Sequence, residues 1–158
     1  MSECAIQSVL FGLEQTAKTS DDYYTPAWVF ERMGIEFDLD VCSPPGGLPW
    51  IPARRYFTMA DDGLAQPWAG RVWMNPPYSD ASRWVRRFIA HGDGICLVTH
   101  AKSFWHSELW DSADALSQPP RRVVFVNGGD GDVSLPTFFA AFGEECVEAI
   151  SRLGRVRR

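Results

Sequence analysis

Two adjacent prolines impose the tightest constraint on this chain. The apolar run Val72-Trp73-Met74 leads directly into Asn75-Pro76-Pro77-Tyr78. Proline has no N–H to give to a sheet ladder, so a strand over 71–74 must stop there. Ser79 or Asp80 then caps a helix over 81–90, in which Trp84, Val85, Phe88 and Ile89 recur at helical spacing. A buried strand, a stiff loop and an amphipathic helix follow one another within twenty residues.

The rest of the chain repeats this alternation. Thr25 as N-cap and Pro26 as first helical residue start a helix over 26–33, which Gly34 ends. Residues 35–41 alternate Ile35, Phe37, Leu39 and Val41 with acidic residues, the pattern of a strand. An irregular Pro- and Gly-rich loop covers 43–52, and 54–58 reads as a short strand. Further strands are expected over 94–99 and 121–126, with helices over 103–116 and 144–152. Asn127-Gly128-Gly129 turns the chain so that 135–142 returns as an antiparallel partner of 121–126. The sum is an α/β fold with a mostly parallel sheet, helices on both faces and a C-terminal antiparallel hairpin. Residues 1–22 read as a lead-in containing one short helix, and 23–158 as one domain.

In such sheets ligands sit beyond the carboxyl ends of the strands. Asp40 and Asn75 both stand at expected carboxyl ends, which places them on one rim. The seven tryptophans are many for this length, and some should line a groove. The net charge is −5, which on average disfavours a polyanionic partner. Basic residues nevertheless cluster as Arg83/Arg86/Arg87, Arg121/Arg122 and a tail of Arg152, Arg155, Arg157 and Arg158. The four cysteines form no Cys-x-x-Cys pair, and His91, His100 and His106 form no metal-ligand spacing, so no metal site is expected. The cysteine pattern fits a reducing cytoplasm. No basic leader with a long apolar stretch and no apolar run of membrane-spanning length is read.

The Asn-Pro-Pro-Tyr loop has a chemical reading. An exocyclic amine on a heteroaromatic base is a poor nucleophile, because its lone pair is delocalised into the ring. Acceptors set against both N–H groups draw the nitrogen toward a tetrahedral form. The Asn75 side-chain oxygen and the carbonyl of the next residue can supply them, the prolines hold that carbonyl outward, and pre-set acceptors need little reorganisation. Tyr78 offers a flat face for a base.

The chain resembles the phage-type, Dam-like DNA N6-adenine methyltransferases, whose catalytic loop reads Asn/Asp-Pro-Pro-Tyr. Val72-Trp73-Met74-Asn75-Pro76-Pro77-Tyr78-Ser79 carries most of the likeness. Tyr24-Thr25-Pro26 is similar to the family's Thr-Pro opening segment. Phe37-Asp38-Leu39-Asp40-Val41-Cys42-Ser43 resembles its Asp-bearing first strand, and Asp62-Gly63-Leu64 with Trp68 a later Asp-x-Leu…Trp segment. Leu97-Val98-Thr99 and Phe104-Trp105-His106 resemble a further strand and helix. The likeness spans roughly residues 22–142.

The resemblance implies a Rossmann-like S-adenosylmethionine-dependent methyltransferase fold. It implies transfer of a methyl group from that cofactor to the N6 amino group of adenine in DNA, by a phage-encoded enzyme of the host-cell cytoplasm. Asn75, Pro76, Pro77 and Tyr78 would be catalytic. Tyr24, Thr25, Pro26, Asp40, Cys42, Asp62 and Asn75 would bind the cofactor, with Asp40 at its methionine end and Asp62 near its adenine or ribose.

There are departures from the family pattern. No Gly-x-Gly turn follows the first strand; Ser43-Pro44-Pro45-Gly46-Gly47 stands there, and its two glycines could allow close backbone approach. No separate target-recognition domain fits the length, so sequence preference falls to loops, a dimer or a partner. Lys102 is a candidate phosphate contact. Two alternatives stay open: another amino or amide acceptor, such as an RNA base or a protein glutamine, and a catalytically inactive binding module of the same fold.

Overall fold

The computed structural model describes residues 20–126 and 133–158. The expected turn at Asn127-Gly128-Gly129 and the lead-in over 1–19 lie outside them. Four helices are described: α1 (Ala27–Met33), α2 (Ala81–His91), α3 (Phe104–Ser112) and α4 (Glu144–Ser151). The strands are β1 (Phe37–Asp40), β2 (Ala53–Tyr56), β3 (Val72–Met74), β4 (Gly94–Thr99), β5 (Ala115–Gln118), β6 (Val124–Phe125), β7 (Val133–Ser134), β8 (Thr137–Phe142) and β9 (Arg155–Arg157). No helix among the described residues is long and apolar enough to cross a membrane.

Seven strands form one sheet in the order β2-β1-β3-β4-β8-β5-β9. The ladders β2/β1, β1/β3 and β3/β4 are parallel. β8 is antiparallel to both β4 and β5, and β9 is antiparallel to β5. Five strands therefore point one way, and β8 and β9 the other. The mostly parallel α/β architecture matches the sequence reading, but its C-terminal wiring does not. Residues 137–142 do not return against 121–126. They slot between β4 and β5, while β6 pairs with β7 in a separate two-stranded ribbon. Thr137–Phe142 is buried on both faces, as a central strand requires, and so it shows no half-polar alternation to mark its partners.

The expected helix over 103–116 ends at Ser112, and 115–118 is the strand β5. Its apolar Ala115 and Leu116 continue the helical spacing, which hid the boundary. Gly34 and Gly92 end α1 and α2 in the left-handed conformation, as glycine permits. At the start of α1 the expectation is corrected: Pro26 is the cap, and the Thr25 hydroxyl makes no cap bond. The helix begins one residue later than expected, so Thr25 precedes the cap position, and its side chain is drawn into the site described below. Asp80 precedes α2 without a side-chain cap bond and instead pairs with Arg83 at 3.1 Å.

Each face of the sheet carries two helices. α1 and α4 bury Phe30, Met33, Val147 and Ile150 against Phe37, Trp73, Ile95 and Leu97. α2 and α3 bury Trp84, Val85, Phe88 and Leu109 against Leu39, Val72, Met74, Cys96 and Val98. Burial of each large side chain contributes about 1.5–3 kcal/mol. β1 crosses between the layers. The N–H groups of Asp38 and Leu39 both donate to the Arg71 carbonyl, at 2.8 and 3.4 Å. This bulge puts Phe37 in one layer and Leu39 and Val41 in the other.

Gly63 is fixed by close approach. A Cβ there would lie 2.3 Å from the Val41 carbonyl oxygen and 3.0 Å from the Trp84 ring. Gly63→Ala is expected to destabilise the fold by about 1–3 kcal/mol, the usual cost of overpacking. A lowered urea midpoint with unchanged slope would show this; an unchanged midpoint would contradict the close fit.

Candidate active site

The bulge in β1 decides what faces the site. Without it, Asp40 would alternate outward with Asp38. With it, Asp40 shares the layer of Phe37 and Trp73 and ends β1 directly beside Trp73 of β3. Its side chain is only 3% exposed. It accepts the Cys42 N–H at 3.3 Å. Burial is the dominant influence and pushes the carboxyl up to about 7, against the smaller opposing pull of the Cys42 N–H and the Ser43 hydroxyl.

Asn75 follows β3 on the same rim. Its Nδ2 donates to the Tyr23 carbonyl at 2.8 Å, which leaves Oδ1 as an acceptor. The Tyr78 hydroxyl donates to Oδ1 at 3.3 Å, occupying one of its two lone pairs. The Cys42 thiol donates to the Asn75 carbonyl at 3.0 Å and is held protonated by burial and by the nearby Asp40. Pro77 gives its carbonyl to the Asp80 N–H at 3.1 Å. Among the described residues, the Pro76 carbonyl takes no backbone donor from a turn or loop.

A cavity of about 290 Å³ opens beside these groups. Tyr24, Thr25, Asp40, Cys42, Asp62 and Asn75 line it, so the structure brings together six of the seven residues expected to bind cofactor. Pro26, the seventh, is buried at the start of α1. Pro77 reaches the cavity, whereas Pro76 is buried and Tyr78 stands behind the lining. The Tyr78 ring packs edge-on against Tyr23 and Phe125, with centroids 6.2 and 6.3 Å away, and burial raises its hydroxyl above the usual phenol range. Of the tryptophans, Trp73 and Trp84 line the cavity.

Gly46 and Gly47 do not line it. Both have positive φ and turn the loop, Gly47 backs onto the Tyr56 ring, and the two border a smaller adjoining cavity with Asp40 and Ser43. Asp62 is exposed at the rim with φ 53°, closing the turn Met59–Asp61.

No local pattern marks the N-terminal clamp. Tyr24 exchanges backbone hydrogen bonds with Val126, at 3.0 and 2.8 Å. The Trp50 indole donates to the Thr25 carbonyl at 2.8 Å. The Asp21 carboxylate accepts from the Ser79 N–H and hydroxyl, at 3.1 and 2.6 Å. These bonds hold residues 21–25 across the cavity, and none has a local signature, because the partners lie 25 to 102 positions apart along the chain. Thr25 lines the cavity and is 1% exposed, and its hydroxyl has no hydrogen-bond partner among the described residues. An orphan hydroxyl and a buried carboxyl lining one cavity mark a place where a polar ligand completes the bonding.

A family model, described as DNA N-6-adenine-methyltransferase (Dam), matches residues 14–135. The chain belongs to this family. A curated relative, the DNA N-6-adenine-methyltransferase of Haemophilus phage HP1, is 36% identical over 133 residues, covering 74% of this chain and 73% of that protein. No solved structure matches. The family model runs through both Asp40 and the loop from Asn75 to Tyr78, the two rim elements that meet at the cavity.

The Asp40 environment has a pH signature. The ordinary carboxyl value is 3.8 and the folded value about 7, so folding penalises the ionised form. The penalty is absent below 3.8, grows through the window between the two values and is complete above 7. At about 1.4 kcal/mol per pH unit it reaches roughly 4 kcal/mol at most. Asp40→Asn should therefore stabilise the ligand-free protein more at pH 8 than at pH 4, as read by thermal melts. An equal shift at both pH values would contradict a buried ionisable carboxyl.

Proposed function

We propose that the cavity binds S-adenosylmethionine and that the chain uses it to methylate the N6 amino group of adenine in DNA. The single observation that carries this reading is the junction of a buried Asp40 carboxyl with an Asn75 amide whose oxygen is kept as an acceptor. The strand order, with one antiparallel strand set between β4 and β5, suits a Rossmann-like methyltransferase fold. One domain would suffice, acting in the cytoplasm of a phage-infected cell.

The residues fit the cofactor. Asp40 would meet its ammonium group in a charge-assisted bond, and the Thr25 hydroxyl would gain the partner it lacks. A cation beside Asp40 also favours the ionised carboxylate, reversing the effect of burial. Tyr24, Cys42 and Asp62 would complete the wall. When bound, the cofactor supplies an electrophilic methyl group.

The loop then acts on the adenine amine. Asn75 Oδ1 retains one lone pair beyond that engaged by Tyr78, and the Pro76 carbonyl has no turn or loop N–H to satisfy it. Together they accept the two N–H bonds of the amine and bring its lone pair out of the ring. Both are set before the base arrives, which is why they lower the barrier. Adenine's amine is hidden in a duplex, so the base must be extruded or presented single-stranded. Tyr78, held by Tyr23 and Phe125, would give that base its stacking face.

Asn75→Ala removes one of the two acceptors and should lower turnover on DNA by about 10²–10³, or 2.7–4 kcal/mol of barrier. Radiolabelled methyl transfer measures turnover, and calorimetry should show a much smaller loss of cofactor affinity. Turnover close to wild type would remove Asn75 from the mechanism.

A further inference from the structure

A second, larger cavity of about 510 Å³ lies farther along the same rim, at the carboxyl ends of β4 and β5. Leu116, Phe138, Trp110, His100, Arg155 and Arg157 line it. β9 is the outermost strand. Arg157 stands opposite Leu116 and Arg155 opposite Gln118, so both arginines share the sheet face on which α3 packs. α3 stops at Ser112; its Trp110 meets Arg157, and both arginines remain exposed.

The groove is basic on an acidic chain. Among the described residues six of the thirteen arginines pair with carboxylates: Arg54 with Asp38, Arg71 with Glu145, Arg83 with Asp80, Arg86 with Glu108, Arg152 with Glu148 and Arg158 with Glu144. Arg32 and Arg87 donate to backbone carbonyls. Two of the remaining cations, Arg155 and Arg157, line the groove; in sequence, Arg121 and Arg122 directly follow the lining prolines Pro119 and Pro120, and Lys102 stands two residues beyond His100. Arg157 lies over the Trp110 ring at 5.4 Å, and the His106 ring stacks on Trp110 with centroids 5.7 Å apart. Phe104, beside Lys102 at the head of α3, is 85% exposed. Cations without carboxylates, interleaved with aromatic faces, are what a phosphodiester strand with stackable bases requires.

We infer that this groove is the DNA track of the enzyme, holding the strand that flanks the target base. The inference rests on the proposed DNA substrate and extends it, since it gives the DNA backbone a surface beyond the base pocket. β3 and β9 are four strand spacings apart, about 19 Å, so the groove would meet DNA some six nucleotides from the base at Asn75.

The test uses mixed-sequence duplex DNA. Arg155→Glu with Arg157→Glu should raise its KM at least tenfold, with kcat and cofactor affinity unchanged. Arg155→Lys with Arg157→Lys should stay near wild type, because phosphate contact needs only charge. By fluorescence anisotropy, Arg155→Ala with Arg157→Ala should reduce the slope of log affinity against log salt by about 1.8, the loss of two phosphate contacts. Arg55→Glu, on the opposite edge strand, should change none of these. If the strand variant fails to fold, Arg121→Glu with Arg122→Glu carries the same expectation. Unchanged KM in the glutamate variants together with an unchanged salt slope in the alanine variant would overturn the track. If wild type transfers no methyl group to DNA, the proposed activity fails, but the anisotropy series still decides the groove; a wild type that binds no DNA overturns it.

Discussion

The site depends on two parallel strands ending side by side with their terminal polar groups pinned to each other. Asp40 ends β1 beside Trp73 of β3, and the Cys42 thiol just beyond β1 donates to the carbonyl of Asn75 just beyond β3. Asn75 in turn reaches across to the Tyr23 carbonyl. Each of these groups is partly or wholly buried, so leaving one unmet costs about 1–3 kcal/mol. Satisfying them fixes the amide orientation, the depth of the Asp40 carboxyl and the course of residues 23–25 together. Asp40 and Thr25 are the exceptions, a carboxyl held up to about 7 and a hydroxyl with no partner, and both face the cavity. Polar groups left wanting at one wall of a cavity are where ligand binding recovers stability given up in folding.

Much of this was legible because local chemistry decides it. Consecutive prolines end β3, the spacing of Trp84, Val85 and Phe88 makes α2, and Gly34 and Gly92 stop helices. The rim position of Asp40 and Asn75 follows from the alternation of strands and helices. The bulge was not legible, since it arises from two N–H groups competing for the Arg71 carbonyl more than thirty residues away. Simple alternation would have set Asp40 on the same face as Asp38. The insertion of β8 between β4 and β5 was hidden for a related reason: a strand buried on both faces carries no polar face to reveal its neighbours. The clamp by Asp21, Tyr23 and Trp50 is wholly tertiary.

Charge illustrates the same division. The basic residues at the C-terminus read as a tail, but Arg152 and Arg158 are spent on Glu148 and Glu144, and Arg155–Arg157 is a strand. Arg83 and Arg86 likewise have acidic partners. Composition counts charges without regard to partners, whereas a polyanion responds only to those left over. A net charge of −5 is therefore compatible with a basic surface on one rim.

The central claim is that this rim methylates adenine at N6. Its most direct test is chemical identification of the product. DNA incubated with purified protein and isotopically labelled S-adenosylmethionine would be digested to nucleosides and analysed by mass spectrometry. The account predicts label in N6-methyl-2′-deoxyadenosine, and none when the cofactor is omitted. Label only in deoxycytidine, or only in RNA or protein offered in parallel, would contradict it.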